Sequence, residues 1–364
     1  MTVRRTLASP PERVTLHSVA ARAGVSTMTV SRVVNCEGRV KPRTREAVER
    51  AIRELNYVPN AAAKALAAGR QAAAIALLLD TPSATMLADM LCAVMDAPAL
   101  SSDRLSFLRV RDKDGPADTV SRLRGMGVRG VVLTAPLCDN LKLRRALSQA
   151  GIRIVAIDCD EDDPDVSAIG IDDRRAAFAL TVRLLALGHR RIGFIAGPAG
   201  QRSSARRRAG FESALAQFGV EPDASLQWTG DYSFQGTIAI AEQMLSLTPR
   251  PTAIFASNDA MAAAVVSVAG SWGVSVPGSL SVCGFDDAEI ARMMFPPLTT
   301  VAPPLGAMAV WAVGQLNEEL DAIEQGREPP VRKVTRDYQL AFRGTTAPPR
   351  GNAGESAAVT GLEQ

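Results

Sequence analysis

The sequence predicts a small all-α helix-turn-helix head followed by an α/β body built on parallel sheets. Three observations carry this. Short helical periodicities broken by a glycine turn fill the first sixty residues, apolar strand-like runs alternate with helical stretches from residue 72 onward, and charge is divided between these two parts. Residues 1–70 hold 13 Lys and Arg against 5 Asp and Glu, while residues 71–364 hold 28 against 33. The overall charge of +3 therefore conceals a head of +8 and a body of −5. A basic head on a mildly acidic body suggests a polyanion-binding module.

In the head, Leu16, Val19, Ala20 and Ala23 share one helix face, Gly24-Val25 interrupts, and Ser26 caps a second helix over 27–35 with Val30, Val33 and Val34 apolar. A third block sets Ala47, Val48, Ala51, Ile52 and Leu55 opposite Arg45, Glu46, Glu49, Arg50 and Arg53. Pro42 suits its first turn, and Pro59 stops the chain after its end. Two short helices joined by a glycine turn form a helix-turn-helix, whose second helix enters the DNA major groove with its N-terminal residues on base edges. The plainer alternative on geometry alone is a small structural bundle. After Pro59 comes an alanine-rich stretch, 60–70, too short to form a stable helix alone, since about 12–15 residues are needed even for good formers. It folds when supported or serves as a flexible linker.

In the body, strands are predicted at 74–79, 105–110, 130–134, 153–157, 191–196, 253–256 and 281–285, with helices at 141–150, 176–187, 205–218 and 260–272. Such alternation gives parallel sheets, which bind ligands beyond the carboxyl ends of their strands. Following the strands are Asp80, Thr134, Asp158, Asn258-Asp259 and Asp286-Asp287, with Arg207 and Tyr232 on nearby elements. Carboxylates accept from hydroxyls, Asn both donates and accepts, Arg fixes an anionic or ring oxygen, and Tyr packs on a ring face; the set suits a hydroxyl-rich solute. Plainer roles exist for some: Asp172 and Asp259 as helix caps, and Asp287 as a turn residue.

The run Val14-Thr15-Leu16, Val19-Ala20, Ala23-Gly24-Val25-Ser26, Thr29-Val30-Ser31-Arg32-Val33-Val34-Asn35, Val40, Thr44-Arg45 and Leu55-Asn56-Tyr57-x-Pro59-Asn60 closely resembles the LacI/GalR family of bacterial transcription regulators. The resemblance continues through Leu187-Gly188-His189-Arg190-Arg191-Ile192, Gly197-Pro198, Arg207-x-x-Gly210-Phe211, Phe255-Ala256-Ser257-Asn258-Asp259, Gly284-Phe285-Asp286-Asp287, Pro296-Pro297-Leu298-Thr299-Thr300-Val301 and Arg343-Gly344, to about residue 346. It departs at Lys41, where the family usually carries a capping residue, and at Asp80-Thr81-Pro82-Ser83, which lacks the family's aromatic-containing stretch.

What the resemblance implies is specific. The body becomes a periplasmic-binding-protein-like pair of lobes, and the chain divides into a flexible arm 1–12, a DNA-binding domain 13–59, a hinge 60–71 and a two-lobed effector-binding and dimerisation domain 72–346, while the small, polar, Gly- and Ala-rich composition of 347–364 reads as a disordered tail. Thr27, Met28 and Arg32 read bases; Thr15, Ser26, Thr29, Ser31, Asn35, Tyr57 and Asn60 hold backbone and register. Ala63 and Leu66 enter the minor groove, the leucine as a wedge. Thr134, Asp158, Ser203, Arg207, Tyr232, Asn258 and Asp286 contact a sugar or sugar-acid effector. The resemblance implies a homodimeric repressor of carbohydrate genes on a pseudo-palindromic operator. The run Met28–Arg32 is similar to gluconate-type regulators, which with Arg207 favours a sugar acid among sugars.

Other classes fit less well. Gly125-x-Gly127-x-x-Gly130 spells a dinucleotide fingerprint but precedes a strand instead of following one. With only His17 and His189 in the chain, no Ser-His-Asp or Cys-His pair is suggested, and no aspartate spacing demands a metal. Neither an enzyme nor a cofactor is expected. A periplasmic solute-binding protein would share the body, but it requires a signal peptide and no basic head. The longest apolar runs, 72–79 and 260–266, fall short of the roughly 20 residues of a membrane span. A cytoplasmic, nucleoid-associated location follows. Five scattered cysteines, never C-x-x-C, argue against a disulfide framework and read as small buried hydrophobes.

Overall fold

The computed structural model describes residues 16–34, 41–55, 74–80, 84–97, 105–111, 114–158 and 163–350. The chain divides into two compact units, Met1–Ala72 and Ala73–Gln364.

In the first unit, α1 (Leu16–Ala23), α2 (Thr27–Val34) and α3 (Pro42–Glu54) enclose a small core of Val19, Ala20, Val30, Val33, Val48 and Ala51. Gly24, at φ +66°, turns the chain between α1 and α2 at no steric cost. Ser26 Oγ then accepts from Thr29 N at 3.2 Å, the predicted cap. At Lys41 the first amides of α3 find only the backbone: Lys41 O accepts from Thr44 N and Arg45 N, with Pro42 in the first turn.

The second unit has two lobes. In the first, β1 (Ala74–Leu79), β2 (Leu105–Arg109), β3 (Val128–Thr134), β4 (Arg153–Ile157), β5 (Ser167–Ile171) and β11 (Lys333–Arg336) form one parallel sheet in the order β11-β5-β4-β3-β1-β2. In the second, β6 (Ile192–Ala196), β7 (Gln227–Thr229), β8 (Ala253–Ala256) and β9 (Ser281–Cys283) form a parallel sheet in the order β7-β6-β8-β9. Beside β9, β10 (Thr300–Ala302) pairs antiparallel with β12 (Gln339–Ala341). The first lobe carries α4 (Ala84–Met95), α5 (Pro116–Gly125), α6 (Leu141–Gln149) and α12 (Leu305–Glu324); the second carries α7 (Asp173–Ala186), α8 (Arg202–Gln217), α9 (Phe234–Ser246), α10 (Asp259–Ser271) and the short α11 (Glu289–Met293). The chain passes between lobes three times: after β5, between β10 and α12, and between β11 and β12.

The strands are near-continuous apolar runs because helices cover both sheet faces. One cluster reaches from β1 and β4 through α7 to β6 and α12; within it Phe194 stacks on Phe211 at 4.7 Å and meets Phe255 edge-on at 5.3 Å. On α12, fully buried Glu319 accepts from Arg153, Ser167 and Gln315, pinning the helix to β4 and β5.

Several expectations need correction. The strand expected at 281–285 ends at Cys283, and beyond it Gly284 N donates to Thr299 O and Asp286 N to Val301 O, both at 2.9 Å. His189 is buried, with Nδ1 2.9 Å from Thr252 Oγ1 and Nε2 2.9 Å from Ala347 O. That contact, with Ala347 N donating to Ser281 Oγ at 3.0 Å, fixes backbone beyond the expected tail boundary at 346. Cys138 is disulfide-bonded, its partner lying outside the described residues, whereas Cys92 is an exposed free thiol and Cys283 a buried one. The 125–130 glycines span the end of α5, a turn and the start of β3, the wrong order for a dinucleotide site.

Candidate functional site

On the head, α2 presents Met28, 65% exposed, and Arg32, also exposed, four residues apart and so on one face. Thr27, Thr29 and Ser31 are half-buried beside them, and Ser26 Oγ lies 2.9 Å from Thr29 Oγ1. A protruding apolar side chain next to a guanidinium on the second of two short helices has the shape of a groove-reading surface. Thr15, Asn35, Tyr57 and Asn60 of the expected backbone set, and Ala63 and Leu66 of the hinge, lie outside the described residues.

In the body, a cavity of about 430 Å³ opens where the strands of both lobes end. Asp80 follows β1, Ala135 follows β3 and Asp158 follows β4; from the other lobe come Tyr232 after β7, Asn258 after β8 and Asp286 after β9. Gln201, Ser203 and Arg207 enter from the start of α8. Among the described residues four non-glycine residues have positive φ, and three of them line this cavity: Asp158 at +57°, Tyr232 at +64° and Asp286 at +107°. The fourth is Asp287 at +50°, paired with Arg292 and Arg343. Left-handed backbone at bulky residues is costly and persists where the surroundings fix it, as at binding sites.

Arg207 is the charged centre. It is 7% exposed; its Nε donates to Asp173 Oδ1 at 2.7 Å, its Nη1 donates to Ser257 O at 2.6 Å and lies 3.3 Å from Asp286 Oδ1, and Cζ sits 3.6 Å from the Phe285 ring centroid. Burial works against its charge, but Asp173 and Asp286 more than offset this and hold it protonated. Burial raises the Asp158 carboxyl to about 7, with Asp173 and Asp286 repulsion adding and Arg207 opposing. Burial likewise raises Asp286 to about 6 against the pull of Arg207. Asp259, raised well above its usual range by burial and then by Asp286, is occupied by the protein itself, accepting from Thr300 Oγ1 at 2.6 Å and Ala288 N at 2.7 Å.

Six of the seven expected effector residues thus meet at one cavity. The exception is Thr134, whose hydroxyl turns into the sheet and donates to Leu78 O at 3.3 Å. It ends β3 buried, so its polar group is spent on the neighbouring strand. Asn258 reaches the cavity but also builds it: Oδ1 caps α10 through Met261 N at 2.9 Å, and Nδ2 donates to Tyr232 O at 3.0 Å. The cap is therefore Asn258 and not Asp259, while Asp172 caps α7 as expected. The Tyr232 ring lies over Gly197, where a Cβ would meet Cζ at 2.1 Å. Asp80 lines the cavity although its loop departs from the family pattern, and Asp89 on α4 and Asp231 also line it, though not among the expected contacts. Asp89 sits on a helix with no motif around it; Asp231 precedes the legible Tyr232.

A helix-turn-helix head joined to a two-lobed solute-binding body defines a ligand-responsive transcription regulator. A family model described as bacterial regulatory proteins, lacI family, matches residues 15–60, and one described as periplasmic binding protein-like domain matches 181–346. The chain is 35% identical over 335 residues to the HTH-type transcriptional regulator CelR of Thermobifida fusca, covering 90% of this chain and 97% of that one. It is 32% identical over 349 residues to the lactose operon repressor of Escherichia coli, covering 93% and 94%. Among solved structures, the lac repressor dimer bound to operator and an anti-inducer matches with TM-score 0.72 at 29% identity, and a CelR-cellobiose complex with 0.66 at 33%, each covering 92% of this chain and 100% of the other. The chain belongs to the LacI family of bacterial transcriptional regulators.

Proposed function

We propose that this regulator is a homodimeric repressor of carbohydrate-metabolism genes whose operator affinity is switched by a hydroxyl-rich solute in the body cavity. The observation that carries the reading is the convergence, beyond the strand ends of both lobes, of Asp158, Ser203, Arg207, Tyr232, Asn258 and Asp286 in a chain that also bears a basic helix-turn-helix head. A solute held by side chains from two lobes favours one lobe arrangement over another, which is what a switch needs. Relatives whose descriptions name cellobiose and an operator support both halves.

In this reading Thr27, Met28 and Arg32 face bases, Arg32 bidentate to a guanine and Met28 against a thymine methyl. Ser26, Thr29 and Ser31 set register with Thr15, Asn35, Tyr57 and Asn60, and residues 60–71 form the hinge whose Ala63 and Leu66 open the minor groove. The protein acts in the cytoplasm, where its DNA is, as a binding protein and not an enzyme; its relatives are regulators. Among the described residues no helix is long and apolar enough to cross a membrane, and no group of side chains is arranged to hold a metal ion. Selection of genomic fragments with the purified chain, followed by gel shift with and without sugars, tests this. A pseudo-palindromic fragment whose shift changes with one sugar is expected; no sequence-specific fragment under any sugar would overturn it.

A further inference from the structure

The balance of charge in the cavity says which solute fits it, an inference that rests on the cavity being the effector site. Among the described residues its lining holds six carboxyl groups, Asp80, Asp89, Asp158, Asp231, Asp259 and Asp286, against a single cation, Arg207. That cation has its charge already compensated within the protein, by Asp173 at 2.7 Å and Asp286 at 3.3 Å, and the Phe285 ring covers one face. An acidic sugar would bring one more negative charge into a low-dielectric space already rich in carboxylates, where like charges repel far more than in water. Several of the six are engaged by the protein: Asp286 by Arg207, Asp259 by Thr300 and Ala288, and Asp231 by Ser233, whose N and Oγ donate to Oδ1 at 2.9 and 2.7 Å. Asp158 differs. The Ile171 backbone donates to its carboxyl, but Oδ1 is buried with no hydrogen-bond partner among the described residues, and its left-handed backbone holds the residue at the end of β4 on the cavity wall. A buried carboxylate oxygen without a donor is costly unless a ligand supplies one.

We propose that the effector is an amino sugar or similar amine-bearing polyol, with its ammonium on Asp158 and its hydroxyls on Arg207, Asn258 and Ser203. A protonated amine supplies the missing donor and offsets the excess negative charge, and the ring hydroxyls use the remaining N–H and O–H groups.

Matched trios separate this from the alternatives. The full-length protein is titrated calorimetrically at pH 7 with glucosamine, glucose and N-acetylglucosamine, with the galacto and manno trios, and with the corresponding uronic acids. At least one amine is expected to bind ten-fold or more tightly than both its hydroxyl and its N-acetyl counterpart, losing that advantage above the pKa of the amine. Its binding releases protons, because a cation beside Asp158, already crowded by Asp173 and Asp286, drives that carboxyl to ionise. In Asp158→Asn the ratio of amine to hydroxyl affinity falls toward one. A neutral sugar binding as tightly as its amine, or an acid binding most tightly, overturns the amine proposal and leaves the carbohydrate reading standing. Absence of binding by every sugar overturns both.

Discussion

Asp158 is a side chain held where its own stability suffers. Its carboxyl titrates near 7 in the fold, against about 4 in an unfolded chain, so the folded state binds a proton more readily than the unfolded one between those values. Its ionisation therefore destabilises the fold progressively as pH rises from 4 to 7, and the full cost is present above 7. Asn at this position removes the charge. Asp158→Asn is expected to raise the thermal midpoint by roughly 2–6 °C at pH 8, for about 1–2 kcal/mol. The gain should shrink at pH 5 and vanish near pH 4, as read by scanning calorimetry; an equal gain at all three values would contradict the assigned cause. The residue scale is also where the sequence was hardest to read. Strand-end position identified Asp158 and Asp286 because a parallel sheet aims those positions at its ligand face. The same logic misplaced Thr134, whose hydroxyl found the Leu78 carbonyl, and it was blind to Asp89, which stands on a helix face.

Between elements, the most constrained contact is α7 against α8. At Gly210 a Cβ would lie 2.1 Å from Arg174 O and 2.9 Å from Phe178 N, both backbone atoms that no rotamer change can move. The two helices therefore touch through main chain, and α8 is held so that Arg207, one turn earlier, reaches Asp173 at the first residue of α7. Gly210→Ala is expected to cost about 1–3 kcal/mol, lowering the thermal midpoint of the body by several degrees. An unchanged midpoint would mean that the helices can separate without penalty. Most elements were legible because periodicity and burial agree: β1, β4 and β8 have the bounds expected of them. β5 was missed since Ser167-Ala168-Ile169-Gly170-Ile171 is short and half small residues; its place comes from pairing with β4 on one side and β11 on the other. β11 was missed for a related reason, being an exposed edge strand of Lys, Val, Thr and Arg that only the sheet makes a strand.

At the scale of the molecule, two binding activities share one chain, and thermodynamics requires that they influence each other equally if at all. The chain crosses between the lobes three times, so closing the lobes on a solute moves the segments that join them. The split of charge that first separated a basic head from an acidic body has the same meaning here: a basic DNA-binding unit and a body whose pocket is lined by carboxyl groups. The central claim is that the solute in the cavity sets the affinity for operator. It is tested most directly by measuring the Kd for a selected operator fragment with and without the sugar or amino sugar that binds most tightly, and then the Kd for that solute with and without the fragment. The account predicts that both constants change by the same factor, between about 5 and 150, corresponding to roughly 1–3 kcal/mol of coupling. An operator Kd unchanged at saturating solute would contradict it.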